Sequence, residues 1–274
     1  RPTSRIAEPA ELTRRGVHTP EPAGVDASSR GIGGATLVGV LLPSPASASS
    51  VELATWITHH PSRPDLPARL LELLSDSAAK RVRATRLVFD PAPGGPPNPW
   101  RTYRVALERA AATPRATHHL VLQDDALPCA RLLDAAHHAA RWRPDDLVCL
   151  FVNDLAVQTS HRIRDAAARG AGWAPVLGEA FLPTVATIWP RELVAAALAG
   201  TALPDAARPQ ADDGVLGDWA RQSSVVAWAT VPNLVQHDED APSTFLGHRD
   251  GRQRWATCWI GDYSWRAVPW GVDF

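Results

Sequence analysis

The sequence predicts an α/β fold, a mixed Rossmann-like sheet flanked by helices, as a single domain with a tryptophan-rich tail. Short apolar runs recur at residues 35–43, 86–90, 120–122 and 146–152, each stopped by proline or a polar group in the manner of buried strands. Segments with apolar residues at helical spacing lie between them, so strand and helix alternate up to residue 155. The run at 120–122 ends in Gln123, Asp124 and Asp125, and the carboxyl end of a strand is where an open α/β sheet holds its ligands.

Residues 1–33 carry Pro, Ser, Arg and Glu without apolar periodicity and are expected to form a loosely ordered arm. A globular domain is expected over 34–250 and the tryptophan-rich segment over 251–274. The run at 35–43 is the first expected strand, closed by the loop Pro43-Ser44-Pro45. Residues 51–60 and 66–74 show helical spacing. A strand is expected at 86–90, then a helix over 100–112 with Trp100, Tyr103, Leu107 and Ala111 on one face. The acidic strand follows, with His118 and His119 at its far end. After it come a helix at 132–142 and a strand at 146–152. Further on, 181–188 and 224–231 read as strands, and 190–198 and 213–222 as helices.

The 274 residues suffice for one large domain or two small ones, and 45% hydrophobic with 21% charged residues is ordinary for a globular chain. A formal net charge of −1 gives no global field to attract nucleic acid or an anionic membrane. No apolar run approaches the ~18 residues of a membrane span, and residues 1–30 lack the apolar core of a secretory signal. Cys129, Cys149 and Cys258 are widely spaced and odd in number, which fits neither a disulfide framework nor a zinc pattern. A cytoplasmic location is the expectation. The chain holds no Met even at position 1, so its start is expected to lie upstream or to have been removed.

Three stretches carry chemistry. Asp124 and Asp125 repel each other unless a cation or a donor-rich ligand sits between them, and carboxylates are the ligands that Mg²⁺ and Mn²⁺ prefer. Asp125 before Ala-Leu-Pro is also placed to cap a helix. Asp212 and Asp213 open the 213–222 helix, where carboxylates suit the positive end of the dipole and where a base for an acceptor hydroxyl would stand. Asp213 is the preferred base because Gly214 beside it leaves room for a substrate. His237 follows a short apolar run in an acidic loop, as a metal ligand or as a surface histidine.

Taken in order, Leu-Gln-Asp-Asp-Ala (122–126), Asp-Asp-Gly-x-Leu-Gly-Asp-Trp (212–219) and Pro-Asn-Leu-Val-Gln-His with the later Ser-Thr-Phe-Leu-Gly-His (232–248) resemble nucleotide-sugar glycosyltransferases of the GT-A fold. The lipooligosaccharide and procollagen galactosyltransferase types are the most similar in feel. The resemblance implies a divalent metal, Mn²⁺ or Mg²⁺, held by Asp125 and His237 on the diphosphate of a donor such as a UDP-sugar. It places Asp124 beside the donor's ribose or sugar, and Asp212 or Asp213 as the base of an inverting enzyme. Gln123 stands where those families carry an acid, which implies fewer protein ligands for the metal. Pro43 and Ser44 would lie against the nucleotide, and the acceptor stays open.

Two other classes compete. A metal-dependent phosphohydrolase or nuclease also uses strand-end carboxylates, though a two-metal site needs a denser cluster of acids and histidines. A carbohydrate-binding module would use Trp255, Trp259, Trp265 and Trp270 as its contact surface, whereas the same rings would otherwise pin the tail across the domain. The sequence contains no Gly-x-Ser-x-Gly elbow and no phosphate-binding Gly-x-x-x-x-Gly-Lys-Ser/Thr loop.

Overall fold

Strands of a mixed sheet alternate their side chains between two hydrophobic layers, and this alternation organises the protein. In the computed structural model, residues 50–76, 85–177, 181–242 and 254–274 are described. The expected arm at 1–33, the strand at 35–43 and the loop with Pro43 and Ser44 lie outside the described residues, as does the 243–253 segment.

The elements run β1 (Leu53–His59), α1 (Leu66–Leu74), β2 (Arg86–Phe89), α2 (Pro99–Ala111), β3 (His118–Gln123), β4 (Ala126–Pro128), α3 (Leu132–Trp142) and β5 (Leu147–Cys149). There follow α4 (Val157–Ala168), β6 (Trp173–Val176), β7 (Ala186–Pro190), α5 (Arg191–Gly200), α6 (Asp212–Gln222), β8 (Ala227–Thr230) and β9 (Val235–His237). A seven-stranded sheet has the order β2-β1-β3-β7-β5-β8-β6, and β4 and β9 form a separate two-stranded sheet. β1 pairs in parallel with both β2 and β3, and β5 with β8; β7 and β6 run against their neighbours. This is the mixed α/β sheet that the sequence predicts.

Along β1, Leu53 and Ile57 join one core with Leu120, Leu122, Ile188 and the buried face of α3; Ala54 and Trp56 join the other with Val121, Trp189 and α2. Both faces of the strand are covered, so β1 is buried at every residue. That explains the one element assigned to the wrong type. Residues 51–60 read as a helix, yet Leu53–His59 is a central strand. A parallel strand covered on both faces shows no polar alternation, and Thr55, Trp56, Ile57 and Thr58 are β-branched or aromatic residues that suit a pleated surface.

Most helices follow their sequence signals, but α4 lies in a stretch where the sequence gives no helix signal. α2 begins where the Asn98 side chain accepts a hydrogen bond from the Arg101 amide, and it buries Trp100, Tyr103 and Leu107; Ala110 rather than Ala111 completes that face. The expected strands at 146–152, 181–188 and 224–231 are shorter, reduced to β5, β7 and β8. β4, β6 and β9 span only three or four residues each, too short to be read as strands. The Asp125 capping alternative is overturned, because the chain enters β4 directly and α3 begins only at Leu132.

The tail packs onto the second core. Trp270 is buried, and its ring centroid lies 5.4 Å from Trp173 and 5.2 Å from His138. Trp173 Nε1 donates to the Trp270 carbonyl at 2.8 Å. Gly172 allows this approach, since a Cβ there would sit 2.4 Å from the Pro269 carbonyl oxygen. Trp259 and Trp265 pack on the same core, whereas Trp255 is 56% exposed. No helix among the described residues is long and apolar enough to cross a membrane.

His119 sits fully buried at the amino end of β3, and its Nδ1 accepts from Trp56 Nε1 at 3.3 Å. Burial, then the charges of Arg191 and His118, push it down from 6.5 to about 4. The unfolded chain binds the proton more tightly, so this contribution to stability is complete above pH 6.5 and is lost as pH falls through about 4. His119→Gln keeps an acceptor for Trp56 and binds no proton. Its unfolding free energy, followed by urea titration, is expected to depend less steeply on pH in that window than that of the wild type.

Candidate functional site

β1 leads through α1 to β2 on one side, and β2 returns through α2 to β3 on the other side of β1. The strand order reverses there, and the carboxyl ends of β1 and β3 open a crevice of the kind in which α/β sheets hold ligands. His59 ends β1 and Gln123 ends β3, so the next residues of each strand face one another.

Asp124 spans the gap. Its Oδ2 lies 2.7 Å from His59 Nδ1 and accepts from the His60 amide at 3.2 Å, while its Oδ1 lies 2.9 Å from Arg63 Nη1. The same Nη1 reaches Asp125 Oδ2 at 2.5 Å. One guanidinium therefore separates the two adjacent carboxylates, which answers the repulsion evident in the sequence. Burial, then the charge of Asp125, raise Asp124 in spite of Arg63 and His59. Burial also acts to raise Asp125, but the bond to His237 and the charge of Arg63 outweigh it and hold the carboxyl at about 2.

His237 reaches this point through the small sheet. β4 pairs with β9 so that Ala126 lies opposite His237, and the Asp238 amide donates to the Asp125 carbonyl at 2.8 Å. His237 Nε2 is 3.4 Å from Asp125 Oδ2, and its Nδ1 is 3.1 Å from Glu239 Oε1. Burial lowers the imidazole, but the bond and charge of Asp125 and the charge of Glu239 outweigh that and raise it. Asn233, fully buried, fixes the approach to β9: its Nδ2 donates to the Thr230 carbonyl at 2.9 Å and its Oδ1 accepts from the Val152 amide at 3.3 Å.

The second acidic pair enters from α6. Ala211 is the residue before the helix and makes no side-chain cap, so Asp212 and Asp213 stand in the first turn and not at the cap itself. Asp212 Oδ2 accepts from Gln123 Nε2 at 2.9 Å. Burial and then the charge of Asp213 push Asp212 up to about 7, against the bonds from Gln123 and Thr184. Asp213 is raised by burial, and the Gly214 amide and the charge of Arg254 oppose this. Gly217 sets the helix in place, since a Cβ there would lie 2.5 Å from Phe181 Cα; the Leu182 amide donates to the Asp213 carbonyl at 2.9 Å alongside.

The two acidic pairs, with His59, Arg63, Gln123 and His237, line one cleft of ≈ 370 Å³, which also takes in Asp90, Asn98 and Thr102. Asp90, at the end of β2, is held by Arg101 Nε at 2.6 Å and Nη2 at 2.7 Å. Gln123, Asp124, Asp125, Asp212, Asp213 and His237 thus converge as the sequence predicts, whereas Pro43 and Ser44 fall outside the described residues. The sequence analysis missed Arg63, His59, Thr184 and Arg254. His59 to Arg63 directly follow β1, so reading 51–60 as a strand would have pointed to them.

A divalent metal fits this arrangement sparsely. Asp125 Oδ1 is buried with no hydrogen-bond partner among the described residues, and His237 Nε2 lies beside the same carboxylate with Glu239 on its other nitrogen, the outer carboxylate that orients many metal-binding imidazoles. Among the described residues no group of three or more His, Cys, Asp or Glu side chains is placed to hold a metal ion. Asp125 and His237 are the two side chains among the described residues that would hold such an ion.

Two consequences are measurable. Arg63→Leu leaves Asp124 and Asp125 face to face without their shared guanidinium, and unfolding at neutral pH without metal is expected to need about 3–5 kcal/mol less in urea titrations. Gly217→Ala is expected to lower the melting temperature by several degrees, about 1–3 kcal/mol of overpacking, because backbone rather than a flexible side chain must move.

Neither a protein-family model nor a curated protein sequence matches the chain.

Proposed function

We propose that the protein is a glycosyltransferase of the GT-A type that moves a sugar from a nucleotide-sugar, a UDP-sugar in the simplest case, to an acceptor hydroxyl with inversion. The observation that carries this reading is the convergence of two carboxylate pairs with separate surroundings on one cleft at the point where the strand order reverses. One pair is neutralised by Arg63 and His237 and suits an anionic, cation-bound diphosphate. The other has one member poised near neutral pH and suits a proton acceptor.

Asp125 and His237 would hold the metal, with Asp124 kept in place by His59 and the His60 amide. When bound, a divalent ion supplies charge stabilisation to the departing diphosphate. The protein's own residues do the rest. Arg63 and Arg254 line the same cleft and favour an anionic donor. A carboxylate of the Asp212–Asp213 pair takes the proton of the acceptor hydroxyl. The acceptor oxygen forms a bond to the anomeric carbon, the bond from that carbon to the phosphate oxygen breaks, and the nucleoside diphosphate leaves with the electron pair.

A phosphohydrolase would call for a denser set of metal ligands than the two among the described residues. A binding module resting on the tail would need its tryptophans free, yet Trp270 is buried and Trp259 and Trp265 pack on the core. The cysteines are all unpaired and Cys129 and Cys149 are buried, which accords with a proposed cytoplasmic location.

The test is calorimetric titration with UDP in the presence of Mn²⁺. The wild type is expected to bind, and Asp125→Ala is expected to lose about 10-fold or more in affinity while its metal-free melting curve stays cooperative. Equal affinity in the folded variant would remove Asp125 from the metal site.

A further inference from the structure

Gln123 is the last residue of β3, and its side chain points at the second acidic pair. Nε2 donates to Asp212 Oδ2 at 2.9 Å and lies 3.3 Å from Thr184 Oγ1, and the Gln123 amide donates to the Val185 carbonyl at 2.9 Å. Backbone and side chain are thus both fixed against the segment entering β7. An acid at this position would bring a second carboxylate to Asp212 Oδ2, and one of the two would have to keep a proton. The amide donates to the carboxylate without neutralising it.

The groups facing Asp212 are Asp213 on its own helix, Gln123 on β3, Thr184 before β7, and the buried Tyr103 phenol on α2. Arg254 acts on Asp213, whereas the largest influences on Asp212 among the described residues are burial, Asp213, Gln123 and Thr184. Asp213 Oδ1 also accepts from the Gly214 amide at 2.7 Å, which favours its charged form and weakens it as a base. Asp212 is 5% exposed and still lines the cleft.

We propose that Gln123 is a positioning residue that fixes the Asp212 carboxylate, and that Asp212 rather than Asp213 accepts the proton of the acceptor hydroxyl. This rests on the transfer reaction proposed above. The proton passes from the acceptor oxygen to an Asp212 carboxylate oxygen as that oxygen bonds to the anomeric carbon and the sugar–phosphate bond breaks. Asp212, burial-raised to about 7, is matched to a proton transfer near neutral pH.

The experiment combines kinetics with a direct titration. Transfer from a UDP-sugar with Mn²⁺ is measured for Asp212→Asn, Asp213→Asn, Gln123→Leu and Gln123→Glu, and the Asp212 carboxyl is titrated by ¹³C NMR without donor or metal, assigned by its absence from Asp212→Asn. Asp212→Asn is expected to lower kcat by roughly 10²–10⁴ with donor KM little changed, and Asp213→Asn to cost distinctly less. Gln123→Leu, which removes the hydrogen bond and adds no charge, is expected to lower kcat at constant donor KM. Gln123→Glu is expected to move the acid limb of the rate profile and the Asp212 titration together to higher pH, by about one unit or more. A rise in donor KM at unchanged kcat for Gln123→Leu would assign Gln123 to donor binding and overturn the proposal. So would an Asp212 titration that neither Gln123 variant shifts, or a larger kcat loss in Asp213→Asn. If the wild type transfers no sugar from any nucleotide-sugar, the proposed function fails and the base with it. The donor-free titration separates that result from a failure of the Gln123–Asp212 contact.

Discussion

The charge on Asp124 is held 4% exposed between the ends of β1 and β3, and the rest of the cleft is arranged around keeping it there. An isolated buried carboxylate is too costly to persist, so it must be met on every side. His59 and the His60 amide meet one oxygen, and Arg63 meets the other while also reaching Asp125. β1 and the residue just after it supply the first two partners because parallel pairing with β3 sets Thr58 beside Gln123, with the strand ends in register. The loop from β1 to α1 supplies the third. A shift in that register would strand the carboxylate, which ties the sheet's geometry to the site's electrostatics.

The two acidic pairs show how identical chemistry is given different behaviour by its surroundings. Asp125 is next to an arginine and a histidine and stays charged down to about 2. Asp212 is as deeply buried but meets an amide, a hydroxyl and another acid, so it takes up a proton near neutrality. The difference lies in the sign of the neighbours and not in depth. A single cleft can thereby present both a fixed negative charge and a proton acceptor.

Much of this was legible from the chain because it was written in local signals. Apolar runs marked β2, β3 and β5, helical spacing marked α1 to α3, and the acidic residues at 124–125 and 212–213 do face one cleft. β1 was hidden because burial on both faces removes the alternation that identifies a strand, and Arg63 and His59 were hidden with it. The role of Gln123 was invisible for another reason. Its partner lies far along the chain, and no local pattern reports which carboxylate an amide will meet. β4 and β9 each span three residues, too short for periodicity to register, yet their pairing alone brings His237 to Asp125.

The position of Arg63 along the chain has a bearing on how the protein comes to be folded. A chain emerging from the ribosome presents its amino-terminal part first. β1, α1, β2, α2 and β3 can associate before β9 or α6 exists, and Asp124 and Asp125 would then be enclosed with His237 still to come. Arg63 belongs to the early part, so the acidic pair has its counter-ion from the moment the parallel strands meet. The later histidine then joins a cluster whose repulsion Arg63 has already reduced. The half-made sheet is spared a stage in which two bare carboxylates would push β1 and β3 apart.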